Sequence, residues 1–262
     1  MLTIRLSKGR ADGMNSGTTL AARFARALAE ESARDAAEPE LLPGRLARTV
    51  TRVLPVDGAG ISVLIGGARR RAPLGASDEI AGRAERLQFT VGSGPCLQAQ
   101  ESRRPVFVVE DDLRRRWPAF HDLLVGQTPY RAIVALPLRN ALTGMGALDL
   151  YFRDSADVAA LDVFAAVTVG DLVTQQLSEA AIWSDWSAEQ GPDMLHSPAA
   201  IRRALVWHAI GRTGLALDVT EPEALAVLRA HAYATGRTVD DLAADVINGR
   251  TDPGGLAGRG AG

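Results

Sequence analysis

The sequence predicts an α+β protein: an antiparallel sheet flanked by helices, followed by a small three-helix bundle. Three observations carry that expectation. From Val56 to Phe152 the apolar residues recur with a period of two, in five short runs. Before and after this region the period lengthens to that of helices, and from Ser197 to Arg250 there are three capped helical segments and little else. At 262 residues the chain can hold one large or two ordinary domains, each with its own core.

Residues 1–17 carry Gly9, Gly13 and Gly17 among polar residues without a period, so a disordered extension is expected, with Met14 as an alternative start to Met1. From Thr18, Leu20, Phe24, Ala27 and Leu28 fall on one helical face until Glu38-Pro39-Glu40 interrupts, and GRLARTVTRVLP continues as a second helix to Pro55. Both are expected to pack on a sheet or on a partner chain. Strands are expected at Gly58–Ile65, Ala68–Ala76, Arg104–Val109, Tyr130–Arg139 and Met145–Phe152, the last two forming a hairpin around Leu142-Thr143-Gly144. Between them Asp78–Arg86, Cys96–Glu101 and Trp117–Leu124 have helical character. A long helix follows from Val158 to about Trp183, with Leu161, Ala165, Leu172, Val173 and Leu177 as its stripe. Gly191-Pro192 breaks that period and places a linker over residues 183–195.

The bundle opens with Ser197 as a cap and Pro198 at the first helical position, where a missing N–H costs nothing. Its first helix is expected to stop near Gly214. The second begins with a capping box at Thr220-Glu221-Pro222-Glu223 and runs to Gly236, and the third begins at Thr238 and continues as LAADVI. On the second helix Leu225, Leu228 and Ala232 recur at i, i+3, i+7, and on the third Leu242 and Val246 stand four apart, so the apolar stripes have to close on one another. Residues 251–262 are expected to be a disordered tail.

Two resemblances rest on these segments. The phrases LQFTVGSGPC, RPVFVVEDD, RWPAF, ALPLR and GALDLYF occur in the order found in GAF domains of the actinobacterial type, which precede ANTAR modules; the resemblance spans roughly residues 40–182, within a sensor unit placed at 18–182 with its flanking helices. Ser93 stands where that family often has Glu. HAIGRTGLALDVTEPEALAVLRAHAYATGRTVDDLAADVI resembles an ANTAR domain, the three-helix RNA-binding module of transcription antitermination regulators, over residues 196–250. His208 occupies the place of the family's Gln, and Arg212-Thr213 that of a hydrophobic pair. Together the resemblances imply a GAF sensor of a small molecule or other signal, dimerising through helices near Phe24 and Leu172. Its ANTAR module would bind terminator-type RNA hairpins to promote antitermination. The other reading keeps the sensor and makes the bundle a dimerisation or protein-docking element without RNA.

RNA affinity needs cations near phosphates and surfaces for unpaired bases. The candidate RNA-binding residues are Arg202, Arg203, His208, Arg212 and Arg229. Six arginines meet six carboxylates between His196 and Arg250, so the module lacks the strong positive charge of a general nucleic-acid binder. Arg202 and Arg203 have solvated helix surface as their alternative role, and Trp207 has the core. A net charge of -2 implies neither DNA nor membrane as a partner. No apolar run reaches a membrane span and no signal-type core opens the chain, so a cytoplasmic place is expected.

Cys96 is the single cysteine; at the start of a helix its thiol is a candidate redox group, with burial as the alternative. One thiol cannot both attack and resolve, which argues against methionine sulfoxide reduction, and no enzymatic activity is expected. His121 lacks a neighbouring His or Cys and is expected on the surface rather than on a metal. Glu110-Asp111-Asp112 before Arg114-Arg115-Arg116 are expected to form a solvated, ion-paired turn. Gly92-Ser93-Gly94 lacks the Lys-Ser/Thr of a phosphate loop. Neither a metal nor a nucleotide cofactor is implied, and strand pattern alone does not pick ligand-binding residues.

Overall fold

The structure, a computed structural model, describes residues 19–34, 38–65, 70–183 and 192–256. The expected extension at 1–17, most of the expected linker and the last six residues lie outside them.

Two helices, α1 (Leu20–Arg34) and α2 (Leu42–Val53), lead into the hairpin β1 (Gly58–Ile65) and β2 (Arg70–Ala76). Next come α3 (Glu79–Val91), α4 (Pro95–Ser102), β3 (Val106–Val108), α5 (Glu110–Arg116) and α6 (Pro118–Gln127). The hairpin β4 (Ala132–Pro137) and β5 (Gly146–Phe152) precedes the long α7 (Val163–Trp183), and α8 (Pro198–Leu217), α9 (Glu221–Ala234) and α10 (Val239–Ile247) form the bundle. The strands make one antiparallel sheet in the order β2-β1-β5-β4-β3.

Helices cover both faces of this sheet, so strand alternation sorts side chains between two interiors. On β5, Leu148, Leu150 and Phe152 point to the side of α1, α2 and α7, where Leu46, Val50, Ile61, Leu74, Val134, Val169 and Val173 complete an apolar core. Ala147 and Tyr151 point to the other side, beneath α3, α4 and α6, with Leu87, Cys96, Phe120 and Ile133. Phe24 is buried in the first core, so α1 packs on its own chain. Despite burial, which opposes ionisation, hydrogen bonds from Arg48 and Arg52 hold Glu31 below the usual carboxylate range and tie α1 to α2.

The bundle has a third core of Val206, Ala209, Leu228, Val239, Leu242 and Val246, to which the sheet domain contributes Phe89. Its helix starts follow from the sequence. Ser197 Oγ accepts from Ala200 N–H, Thr238 Oγ1 accepts from Asp241 N–H, and Thr220 and Glu223 form the reciprocal box.

Several boundaries differ from expectation. Helix α3 runs to Val91 rather than Arg86, because Gln88 and Thr90 find buried polar partners instead of solvent. Residues 155–160 form a 3-10 turn before α7, and α8 passes Gly214 to end at Leu217. Glu110–Arg116 is a helix, with Asp111 and Asp112 paired to Arg114 and Arg115 one turn on. The expected tail turns back at Pro253–Leu256 and buries Leu256 in the bundle core. His121 is buried, not surface: its Nδ1 lies 3.1 Å from Asp122 and its Nε2 3.5 Å from Glu110. No described helix is long and apolar enough to cross a membrane.

Candidate functional site

Beneath α3 a cluster of charged and polar side chains is set among the apolar residues of this interior. Gly60 on β1 faces Asp149 on β5, and Leu64 faces Arg71 on β2, which brings Ser62, Arg71 and Asp149 onto one surface of three adjacent strands. A Cβ on Gly60 would lie 2.3 Å from Glu85 Oε1, so only glycine lets the Glu85 side chain descend from α3 onto the sheet. There Tyr151 Oη donates to Glu85 Oε1 at 2.6 Å. Gln88 bridges helix and strand: its Nε2 donates to Asp149 Oδ2 at 3.0 Å, while its Oε1 accepts from Cys96 N–H at 3.0 Å. Arg71 Nη2 donates to Ser62 Oγ at 2.5 Å.

This cluster is buried, and its titrating groups respond accordingly. Burial, then the Glu85 carboxylate, push Asp149 well above the usual carboxylate range, and the same two causes raise Tyr151. Burial pushes the Cys96 thiol well up as well, with the Arg71 charge opposing. The candidate redox thiol is therefore fully buried and held away from the thiolate that such chemistry needs. Two atoms of the cluster, Arg71 Nη1 and Asp149 Oδ1, are buried without a hydrogen-bond partner.

The bundle seats directly against this region. Thr90 Oγ1, at the end of α3, accepts from Val239 N–H in the first turn of α10 at 2.9 Å. Arg203, only 1 % exposed, pairs with Asp240 through Nε at 2.9 Å and Nη2 at 3.1 Å, and its Nη1 reaches the carbonyl of Arg71 at 3.1 Å. Its guanidinium carbon lies 3.4 Å from the centre of the Phe89 ring, and that of Arg229 lies 4.9 Å from the same centre. Trp207 meets Phe89 edge-on at 5.9 Å. Arg229 Nε also donates to the Phe89 carbonyl at 3.1 Å.

The five candidate RNA-binding residues therefore separate. Arg203 and Arg229 converge on Phe89, inside the joint between sheet and bundle. Arg202, His208 and Arg212 are exposed on α8, Arg202 lying 3.9 Å from Asp241 and Arg212 donating to the carbonyls of Val246 and Ile247 at 3.1 Å each. Trp207 is half-buried in the joint, neither central core nor open platform. Among the described residues no group of three or more His, Cys, Asp or Glu is placed to hold a metal.

Arg71, Phe89, Thr90 and Asp240 were not among the residues picked from sequence. One signal was available: a strand covered by helices on both faces has no side open to water, so Asp149 within GALDLYF had to be buried.

No protein-family profile and no curated protein matches the chain. Similar solved structures include the GAF domain of a phosphoenolpyruvate-protein phosphotransferase from Coxiella burnetii, at 14% identity over 60% of this chain and 94% of that one, with a TM-score of 0.41. The GAF domain of the Acinetobacter phosphoenolpyruvate-protein phosphotransferase is 12% identical over 63% of this chain and 96% of that one, with a TM-score of 0.42. An RNA-binding light-oxygen-voltage receptor is 18% identical over 73% of this chain and 47% of that one, with a TM-score of 0.19. At such scores the chemistry of the site has to be judged from its own residues.

Proposed function

We propose that the chain is a signal-responsive RNA-binding regulator, with a GAF-like sensor domain and an ANTAR-like bundle that binds terminator-type RNA hairpins and promotes antitermination. One observation supports a coupled sensor and effector: the bundle's buried Arg203–Asp240 pair and Arg229 lie against Phe89 of the same helix that supplies Glu85 and Gln88 to the polar interior. A signal that shifts α3 changes the seat of the bundle. Seated, the bundle keeps Arg203 and Arg229 in the joint; released, it uncovers Arg229, while Arg203 stays paired with Asp240 of the same bundle. The effector shifts the population between these forms. The regulator acts in the cytoplasm as a homodimer and carries out no catalysis, and the exposed Phe164 and Ile182 on α7 supply apolar surface for the second copy.

Gel-shift and filter-binding titrations of the full chain with a terminator-type stem-loop test this reading. The Phe89→Ala variant removes the ring that both arginines share and is expected to bind the hairpin at least tenfold more tightly than the parent chain. A loop-scrambled hairpin should bind less well than the original.

The second reading, a sensor whose bundle docks proteins without RNA, draws on the same geometry. The joint takes two of the bundle's six arginines. It predicts no hairpin binding by either the parent chain or Phe89→Ala.

A further inference from the structure

The joint encloses a half-open cavity of about 390 Å³, a size suited to a small molecule. The sheet domain provides Leu64, Arg71, Phe89 and Leu97 to its wall, and the bundle provides Trp207, Ile210, Leu225 and Arg229. Most of that lining is apolar or aromatic, and two guanidinium groups interrupt it. Arg71 is 8 % exposed, and its Nη1 is buried without a hydrogen-bond partner. A buried donor of this kind loses its water without a replacement.

Arg229 approaches because of Gly92, whose φ of +76° suits glycine and whose Cβ, if present, would lie 2.7 Å from Arg229 Nη1. Among the described residues no carboxylate pairs with Arg229, in contrast to Arg203, which Asp240 neutralises. Burial, then the charge of Arg203, push the Arg229 guanidinium down from its ordinary value, as expected of a cation short of counter-charge. The acids near Arg71 are Glu85 and Asp149, and the latter favours its protonated form. Glu221 is the one acidic residue in the lining, at the start of α9.

We propose that this cavity binds a small organic anion, its carboxylate or equivalent group held by Arg71 and Arg229 and its apolar body lying on Leu64, Leu97, Trp207 and Leu225. The inference deepens the sensor half of the reading above and rests on it; RNA does not enter. Because sheet and bundle each supply half of the wall, the anion binds the seated form and stabilises it by mass action.

The test uses the full chain and 8-anilinonaphthalene-1-sulfonate, an aromatic anion that fluoresces when it leaves water. One dye per chain is expected, displaced by octanoate and not by octanol of the same chain length. Arg229→Gln should weaken the dye at least tenfold. Leu225→Trp, which fills the cavity and leaves both charges, should weaken it as much, whereas Arg114→Gln on the distant α5 should not. Absence of saturable binding, equal displacement by octanol, or unchanged affinity in Leu225→Trp overturns the proposal. Dye binding that follows these expectations in a chain that ignores every hairpin leaves the anion site standing and removes the RNA-binding function alone.

Discussion

The two faces of β5 are built on opposite terms. Leu148, Leu150 and Phe152 enter an apolar core, whereas one residue out of step Asp149 and Tyr151 enter an interior with Glu85, Gln88 and Arg71. The apolar side is stabilised by area and packing, on the order of 25 cal/mol for each Å² removed from water. The polar side gives up part of that gain, since buried charges rarely do better than well-packed hydrocarbon of the same shape. The polar side is also where the bundle sits.

The comparison can be broken or sharpened at three points. The largest effect is expected where the polar side meets the bundle. Asp240→Ala leaves the Arg203 cation buried without its partner and should cost about 3–5 kcal/mol in urea denaturation. Replacing the pair together, Arg203→Met with Asp240→Leu, should recover most of that loss, and failure to recover it would mean that the pair is worth more than hydrocarbon here.

On the apolar side, Leu150→Ala removes a fully buried side chain and should cost about 2–5 kcal/mol with no dependence on pH beyond that of the parent. A loss that varied with pH would show that the two interiors communicate through the strand.

The smallest effect, and the most diagnostic, belongs to Asp149→Asn. Asp149 has its folded pKa raised by burial and by Glu85, so the stability linked to its proton is complete below the unfolded value near 3.9 and is lost as pH climbs toward the folded value. Asparagine has no such proton to lose. The variant should lie within about 1 kcal/mol of the parent at pH 4 and gain on it steadily as the pH is raised, measured as urea midpoints from pH 4 to 8. A constant gap would mean that Asp149 is already ionised in the fold.

Much of this architecture is legible in the amino-acid sequence. Alternation located the strands, and the caps at Ser197, Thr220 and Thr238 located the bundle helices, because both are local statements about which backbone groups need partners. The joint was not legible for the same reason. A count of charges along α8 treats Arg202 and Arg203 alike, yet one faces water beside Asp241 and the other is enclosed by Asp240, Phe89 and the Arg71 carbonyl. Nothing in the spacing of two adjacent arginines says which will meet a ring more than a hundred positions away. Leu256 escaped for a related reason: it is buried in the bundle core formed by helices earlier in the chain.

The hydroxyl of Thr90 has a consequence for what the bundle is when alone. The amide of Val239 is among the donors that a helix start leaves over, and here the neighbouring domain takes it up. Detached, α10 would begin with one more exposed amide and a weaker first turn. If the bundle is released as proposed above, its free and docked forms are not the same rigid body in two positions, since departure would loosen the helix that departs. Whatever recognises the free form meets a slightly softened surface, and whatever restores the docked form tightens it again.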